Sequence, residues 1–263
     1  MEIPVQRWKD AIKIRHSSRT FTNKPLSEDV CETLAQFLKY VNSGIEGVRA
    51  VYVKDEGNKV IQSIIGSYGL IKGVKSYIAF IADQQDAKFP EKIGYLGEMC
   101  ILEATSMGLK TCWISGTFKP QVVEKQIEIN STEKVMAITP VGYSEKKSIV
   151  EKIMKKATGS QHRKVLKELC PEGYKQDWPK WIKDSIELAR IAPSAVNKQP
   201  WRFTIGENNK SIKISIDDTR NVGRKRLDCG IAMLHIEVGA LSNDIEGEWS
   251  CSELPDIAIY RKK

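Results

Sequence analysis

The order of predicted elements starts over in the last third of the chain, and this repetition constrains the fold more than any other feature of the sequence. Each part predicts a helix, strands, one long helix and closing strands. The long helices also share a short segment, because Met99-Cys-Ile-Leu-Glu103 aligns with Met233-Leu-His-Ile-Glu237. Five similar residues arise easily by chance, but the matching element order on both sides favours an internal repeat. The sequence therefore predicts a duplicated chain with two half-domains.

Hydrophobic spacing, helix-capping residues and turn residues give the expected boundaries. In the first half we expect helices over 4–14, 27–39, 58–65 and 90–107, a short helix after Pro120, and strands over 48–53, 76–82, 110–114 and 134–141. In the second half we expect helices over 179–192 and 223–241, and strands over 201–205, 210–216 and near Glu248 and Ile257. The predicted domains are a first half over 1–155, a basic connecting segment over 156–175, and a shorter second half over 176–263.

The chain is basic, and this narrows its partners. It has 263 residues, and 41 Lys and Arg against 33 Asp and Glu give a net charge of +8. This balance favours an anionic partner, which leaves phosphate-bearing cofactors, nucleic acid and acidic membranes open. The basic residues of the segment 144–167 fit an ordinary solvated face. Because that segment lacks interleaved aromatic residues and any nucleic-acid-binding module, we expect no nucleic-acid partner.

Membrane, secreted and metal-dependent classes are not expected. No apolar run approaches the roughly 20 residues that span a bilayer, and the apolar run at 77–82 fits a buried strand. No secretory signal is read at the start of the sequence, so we expect a cytoplasmic protein. The six cysteines form no C-x-x-C pair and are expected to be reduced and structural. The three histidines lack metal-ligand spacing, and His235 on an apolar helix face is expected to be a packed residue.

Two segments carry residues suited to a phosphate. Arg15-His-Ser-Ser-Arg19 places two guanidinium groups and two hydroxyls directly after a predicted helix. Guanidinium groups give a phosphate bidentate, charge-assisted hydrogen bonds and never lose their charge. An exposed polar loop would explain the same residues. Gln161-His-Arg-Lys164 is the other candidate for a phosphate contact, and an exposed polar segment would explain it as well.

Two further segments carry polar groups next to predicted strands. Ala192-Pro-Ser-Ala-Val-Asn-Lys-Gln-Pro-Trp-Arg-Phe203 crosses from a helix to a strand, and its two prolines restrict the backbone. The side chains of Ser194, Asn197 and Gln199 can bind a heteroaromatic ring or a ribityl chain, although they also fit simple helix termination. Trp113-Ile-Ser-Gly116 ends on a glycine whose N–H can closely approach a ligand. No dinucleotide-binding, Walker A, zinc-protease or nucleophile-elbow motif is present.

These segments resemble the nitroreductase superfamily of FMN-dependent oxidoreductases. The family pattern R-x-S-x-R/K-x-F is matched by Arg15, Ser17, Arg19 and Phe21. The pattern A-P-S-x-x-N-x-Q-P-W is matched by Ala192, Pro193, Ser194, Asn197, Gln199, Pro200 and Trp201. The W-I-S-G loop, Val141-Gly-Tyr143 and Arg163-Lys164 follow the pattern as well. Together these motifs cover most of the chain.

The resemblance implies an α+β nitroreductase-like fold. Two half-domains, each with a mixed sheet flanked by helices, are expected to pack as an internal pseudo-dimer. Ordinary members have both the arginine motif and the A-P-S loop in one subunit and form homodimers. Here the first copy keeps the arginine motif, while Asn42 and Arg49 are what remains of its A-P-S loop. We therefore expect a monomeric fused chain with one complete FMN site and one lost site.

The resemblance also implies the chemistry and the residues. Hydride from NADH or NADPH passes to flavin N5, the nicotinamide product leaves, and an electron-poor small molecule such as a nitroaromatic or quinone takes its place. We expect Arg15, Ser17 and Arg163 at the FMN phosphate, and Arg19 at the ribityl or pyrimidine end. The full set of expected cofactor contacts is Arg15, His16, Ser17, Arg19, Ile114, Ser115, Gly116, Arg163, Lys164, Pro193, Ser194, Asn197 and Gln199. No catalytic side chain is assigned, and a non-catalytic FMN-binding or flavin-sensing protein is the alternative.

Overall fold

The computed structural model describes residues 2–61, 71–116, 118–144 and 162–263. The chain divides into two compact units that interleave along the sequence. Unit 1 comprises the described residues within 14–89 and 99–158, and unit 2 comprises those within 2–13, 90–98 and 159–263. The expected boundaries of the two contiguous halves and of the connecting segment stay a prediction. Most of the basic segment 144–167, including Gln161, lies outside the described residues.

Unit 1 contains a four-stranded sheet in the order β1-β2-β4-β3, and every pair of these strands is antiparallel. Its strands are β1 (Val48–Val53), β2 (Ser76–Asp83), β3 (Lys110–Thr111) and β4 (Glu133–Gly142). Its helices are α2 (Glu28–Asn42), α3 (Gly57–Ile61), α5 (Pro120–Glu124) and the part of α4 (Phe89–Ser106) that begins at Met99. The side chains of β2 are buried on both faces as far as Ala82, which explains why that strand reads as a continuous apolar run.

Unit 2 contains a second antiparallel sheet, in the order β5-β6-β8-β7. Its strands are β5 (Trp201–Ile205), β6 (Ser211–Ile216), β7 (Gly247–Cys251) and β8 (Asp256–Lys262). Its helices are α1 (Val5–Ile14), the start of α4, α6 (Leu166–Leu169), α7 (Lys180–Arg190) and α8 (Val222–Leu241), with single 3₁₀ turns at Ala195–Asn197 and Glu207–Asn209. A Cβ on Gly230 of α8 would lie 2.0 Å from the Glu91 carbonyl oxygen, so only glycine lets the α4 and α8 backbones approach this closely.

The two sheets have the same strand order. Adding four to each strand number of the first sheet gives the strand order of the second sheet. The central pairings also correspond, because β2 with β4 and β6 with β8 each contain one shift of register, after Phe80 and after Ile214. This agreement confirms the predicted α+β class with two half-sheets flanked by helices. It also supports the predicted repeat, although common descent of the two parts stays a prediction.

Most predicted boundaries match closely, and three details differ. The strand expected over 110–114 ends at Thr111, because the Cys112 N–H donates to the Thr139 side-chain oxygen (3.1 Å) instead of a backbone carbonyl. The sheets were expected to be mixed, but parallel pairing among the described residues is confined to single bridges, one of which joins Ser17 to Thr111. The helix expected over 58–65 is described only as far as Ile61. In the described ranges, no helix has the length and apolar character needed to cross a bilayer.

Candidate functional site

The arginine motif of unit 1 lies beside the start of the W-I-S-G loop. Ser17 forms a parallel bridge with Thr111, and the Ser18 N–H donates to the Thr111 carbonyl at 2.8 Å. The His16 Nδ1 lies 3.2 Å from the Ile14 carbonyl oxygen, to which it donates. The Ser17 bridge and the Ser18 hydrogen bond therefore hold the middle of this segment beside Thr111.

A second set of backbone bonds fixes the end of the motif. The Phe21 N–H donates to the Lys72 carbonyl (2.8 Å), and the Lys72 N–H donates to the Arg19 carbonyl (2.9 Å). Gly73 follows with φ +72°, and a Cβ there would lie 2.0 Å from the Phe21 carbonyl oxygen. Glycine is therefore required at 73 if residues 19–21 are to hold this position.

The two arginines and Ser17 all lie close enough to one buried thiol to influence its pKa, and we call Arg15, Ser17, Arg19 and Cys112 the arginine cluster. Burial raises the pKa of the Cys112 thiol, while the Arg19 guanidinium, a hydrogen bond from Ser17 and the Arg15 guanidinium oppose that rise. Cys112 is 4% exposed, and its Sγ lies 3.8 Å from the Trp113 carbonyl oxygen. The cluster thus brings two positive charges near one thiol in unit 1, and burial keeps that thiol neutral.

Arg19 is a buried cation without an acidic partner. Its side chain is 8% exposed, and its Nε has no hydrogen-bond partner within the described part of the chain. No carboxylate there forms an ion pair with it. The neighbouring Ser18 hydroxyl is fully buried and also lacks a hydrogen-bond partner among the described residues. Because burying an unpaired charge costs several kcal/mol, this arrangement fits an anionic or polar ligand that complements Arg19.

The W-I-S-G loop leaves the sheet just beyond the arginine cluster. Ile114 exchanges two backbone hydrogen bonds with Ile138, at 3.0 and 2.8 Å, and its side chain is buried. The Trp113 ring packs on Phe80, with ring centroids 5.0 Å apart. Ser115 is half-buried and Gly116 is exposed. The rigid bridge at 114 therefore holds the backbone of the next two residues at the surface of unit 1.

The predicted residues of unit 2 form a second group, in which two side-chain amides bind the backbone of the basic segment. The Gln199 Nε2 donates to the His162 carbonyl (3.1 Å), and its Oε1 accepts from the Lys164 N–H (2.8 Å). The Asn197 Nδ2 donates to the same His162 carbonyl at 2.8 Å. Gln199 thus pairs with the backbone of residues 162–164 as a neighbouring strand would. This contact joins the A-P-S loop to the segment that contains Arg163 and Lys164.

Both basic residues of this group contact the A-P-S loop. The Arg163 Nη1 donates to the Ala192 carbonyl (2.7 Å) and to the Asn197 Oδ1 (3.1 Å). The Lys164 Nζ donates to the Gln199 carbonyl at 3.1 Å. Burial and the charge of Arg202 lower the pKa of Lys164. These side chains hold the loop, whether or not they also contact a cofactor.

The A-P-S loop has an unusual backbone. Val196, Asn197 and Gln199 have φ of 45°, 56° and 48°, in the left-handed region that favours glycine. Asparagine tolerates this region, but a β-branched residue such as Val196 rarely adopts it. The Ser194 hydroxyl accepts from the Gln199 N–H at 2.9 Å and closes the loop, and Pro193 is buried. Strained backbone of this kind clusters at ligand-binding sites.

Sequence reasoning missed two residues of these groups. Cys112 was treated as a structural cysteine, yet it lies near enough to both arginines for their charges to lower its pKa. Asp228 on α8 accepts the Ala195 N–H of the A-P-S loop at 3.1 and 3.2 Å through the two oxygens of its carboxyl group. A signal for it existed, because Asp228 is an acid within a helix segment that is otherwise buried and largely apolar.

The two remnants of the first A-P-S loop bind their own unit. The Asn42 amide exchanges hydrogen bonds with the Ala50 backbone of edge strand β1, at 2.9 and 2.8 Å. The Arg49 Nε forms an ion pair with Glu133 at 2.7 Å, and its Nη2 donates to the Glu128 carbonyl. These polar groups already have structural partners.

Comparisons with known proteins bear on these groups. A family model described as "Putative TM nitroreductase" matches residues 8–240. A crystal structure described as a "putative nitroreductase" from Thermotoga maritima is 20% identical, with a TM-score of 0.62, and the match covers 99% of this chain and 96% of that one. At this identity the likeness shows the fold. No protein of curated function matches the sequence.

Two other solved structures match about half of this chain. The "FMN-dependent Nitroreductase" from Clostridium difficile is 19% identical, with a TM-score of 0.43, over 52% of this chain and 88% of its own. The "Putative NADH dehydrogenase/NAD(P)H nitroreductase" from Bacteroides thetaiotaomicron is 20% identical, with a TM-score of 0.44, over 54% of this chain and 88% of its own.

Proposed function

Since the chain belongs to the family described as "Putative TM nitroreductase", we propose that it is an FMN-dependent oxidoreductase. Its proposed electron donor is NADH or NADPH, and its proposed acceptor is an electron-poor small molecule such as a nitroaromatic or a quinone. The family supports an oxidoreductase role in general. The cofactor, the donor and the acceptor are the proposal.

The observation that carries the proposal is the buried Arg19 of the arginine cluster. A guanidinium that is 8% exposed and has no ion-paired acid within the described ranges needs an anionic complement. FMN supplies both an anionic phosphate and a ring system that becomes anionic on reduction. The donors of the cluster therefore fit FMN, and they do so independently of the family match.

We assign the residues as follows. Arg15 and Ser17 hold the phosphate, because a guanidinium fork and a hydroxyl together satisfy several phosphate oxygens. Arg19 lies toward the flavin ring, where its charge favours the reduced cofactor. Arg163 is a further proposed phosphate ligand. Its Nη1 donates to the Ala192 and Asn197 oxygens, so Arg163 also holds the A-P-S loop.

The protein supplies position and electrostatics, and the bound FMN supplies the hydride chemistry. The Ser115 and Gly116 backbone, held by the bridge at Ile114, offers N–H groups to the ring edge. Cys112 is a neutral thiol at ordinary pH, because burial raises its pKa, so it is assigned no nucleophilic role.

The A-P-S loop has a proposed supporting role. Pro193, Ser194, Asn197 and Gln199 are proposed cofactor contacts, as the resemblance implies. Because the Asn197 and Gln199 amides bind the backbone at 162–164, they orient this loop as well as any ligand that it contacts. Lys164 contributes through its bond to the Gln199 carbonyl.

One FMN per chain is the proposed stoichiometry. The remnants Asn42 and Arg49 are engaged with Ala50 and Glu133, and these contacts support the loss of a second site. The absorption spectrum of the purified protein and titration of flavin-free protein with FMN test this directly. Two equivalents bound, or none, would contradict the proposal. Equal affinity for riboflavin, which lacks the phosphate, would refute the roles of Arg15 and Ser17.

Turnover is tested separately from binding. Steady-state oxidation of NADH and NADPH is measured with a quinone and a nitroarene as acceptors. An enzyme oxidises at least one donor in an acceptor-dependent way. Stoichiometric FMN binding without any turnover would instead support the non-catalytic flavin-binding alternative.

A further inference from the structure

Asp228 is a buried carboxyl group with a single hydrogen-bond donor. It lies on α8 and is 4% exposed. Its Oδ1 and Oδ2 lie 3.1 and 3.2 Å from the Ala195 backbone nitrogen, which donates to both. Within the part of the chain that the structure describes, no other group donates to it and no cation forms an ion pair with it.

This burial is unfavourable for stability. A carboxyl group in the interior either loses its hydration or keeps its proton, and one backbone N–H compensates little of that cost. Burial raises the pKa of Asp228 to about 8, with the Ala195 N–H and the Arg224 charge acting in the opposite direction. An apolar side chain at 228 would remove the cost. Core packing therefore does not account for this acid, whereas its contact with the A-P-S loop does.

The contact is made next to the most strained part of the loop. Val196 follows Ala195 directly and has φ 45°, and its side chain is 42% exposed, so burial compensates only part of the cost of this conformation. A left-handed conformation is unfavourable for a residue with a Cβ, because that atom comes too close to the following carbonyl oxygen. The loop therefore needs an external restraint to stay in this form, and the Ala195 N–H is where α8 supplies one.

We infer that Asp228 is a positioning residue, which holds loop 194–199 in the conformation, left-handed at residues 196, 197 and 199, that presents its polar groups to the cofactor. Its connection with FMN rests on the proposed function. Its connection with the loop does not. A rigid helix, a buried acceptor and a strained loop together form the positioning device.

The test compares two substitutions of the full-length chain. Asp228→Leu removes the acceptor and fills the space, and Asp228→Asn keeps one oxygen that can accept the Ala195 N–H. Amide hydrogen exchange at 195–199, measured without FMN, is expected to become about 10-fold faster in Asp228→Leu and to stay near the wild-type rate in Asp228→Asn. Thermal stability is expected to be unchanged or higher in both. Ser185→Ala, at a buried hydroxyl elsewhere in unit 2, is the control and should leave the loop exchange unchanged.

A second substitution tests the part played by strain. Val196→Gly removes the Cβ that makes a positive φ unfavourable. In that background Asp228→Leu is expected to accelerate loop exchange less than about 3-fold, because the loop then needs less restraint. An equal acceleration in both backgrounds would overturn the role of strain. Unchanged exchange in Asp228→Leu would overturn the inference as a whole.

FMN titration separates this inference from the proposed function. If the wild-type chain binds FMN, its dissociation constant is expected to rise about 10-fold in Asp228→Leu and to recover in Asp228→Asn. Unchanged FMN affinity in Asp228→Leu, with faster loop exchange, would refute the connection with the cofactor alone. If the wild-type chain binds no FMN, the proposed function fails, and the exchange data still decide whether Asp228 positions the loop.

Discussion

Replacing Arg19 separates its role toward a ligand from its effect on folding. In Arg19→Met the side chain keeps a comparable apolar stem and loses its charge. A hydrogen bond to a charged group contributes about 1.5–3 kcal/mol, so FMN affinity is expected to fall roughly 10- to 150-fold. Isothermal titration of flavin-free protein measures this change.

The same substitution is expected to stabilise the flavin-free chain. Arg19 is 8% exposed and lacks an acidic partner within the described residues, so its removal relieves a desolvation cost. For a chain of this size each 1 kcal/mol raises Tm by about 2–4 °C. Arg19→Lys keeps the charge but loses the planar fork, so its FMN affinity is expected to lie between those of Arg19→Met and the wild type.

Arg49→Met is the matched control in the same unit. Arg49 forms an ion pair with Glu133 at 2.7 Å, and this guanidinium lowers the pKa of Glu133. Its removal leaves a largely buried carboxylate unpaired, so Tm is expected to fall while FMN affinity stays at the wild-type value. Wild-type FMN affinity in Arg19→Met would refute the proposed site. A fall in Tm in Arg19→Met would refute the argument that Arg19 is an uncompensated buried charge.

Three further predictions follow from the contacts described. Arg15→Ala removes a charge-assisted contact to phosphate, so FMN affinity is expected to fall roughly 10- to 150-fold with little change in Tm, and an unchanged dissociation constant in titration would mean an ordinary surface loop. Asn197→Ala should weaken FMN binding by loosening the loop. Asn42→Ala should lower only Tm, because it removes two hydrogen bonds to β1. If Asn42→Ala weakened FMN binding as much as Asn197→Ala in a titration, the chain would have two working FMN sites. The raised pKa of Asp228, about 8 against an ordinary 3.8, means that the folded chain binds a proton that the unfolded chain releases, so its contribution to stability falls as pH rises from about 4 to 8. Asp228→Asn should remove this slope in urea titrations at several pH values, and a slope identical to that of the wild type would contradict the shift.

Local patterns in the sequence determined the elements and the family. The helix and strand periods depend on near neighbours, so strand β5 was predicted at its observed bounds and α8 within one residue at its start. The arginine motif and the A-P-S loop were likewise visible as consecutive residues. The family match over residues 8–240 confirms the nitroreductase family that those motifs indicated.

Only the tertiary structure decided which partners these polar residues have. Arg49 reads as a remnant of a ligand site, but an ion pair with Glu133, far along the chain, occupies it. Gln199 reads as a ligand contact, and its amide binds the backbone at 162 and 164. A side chain's hydrogen-bonding capacity is set by its own chemistry, but its partner is set by which distant segments the fold brings within about 3 Å. Asp228 shows the same limit: its acidic side chain is unusual within the buried part of α8, but nothing local indicates that its carboxyl group accepts the Ala195 N–H of a strained loop.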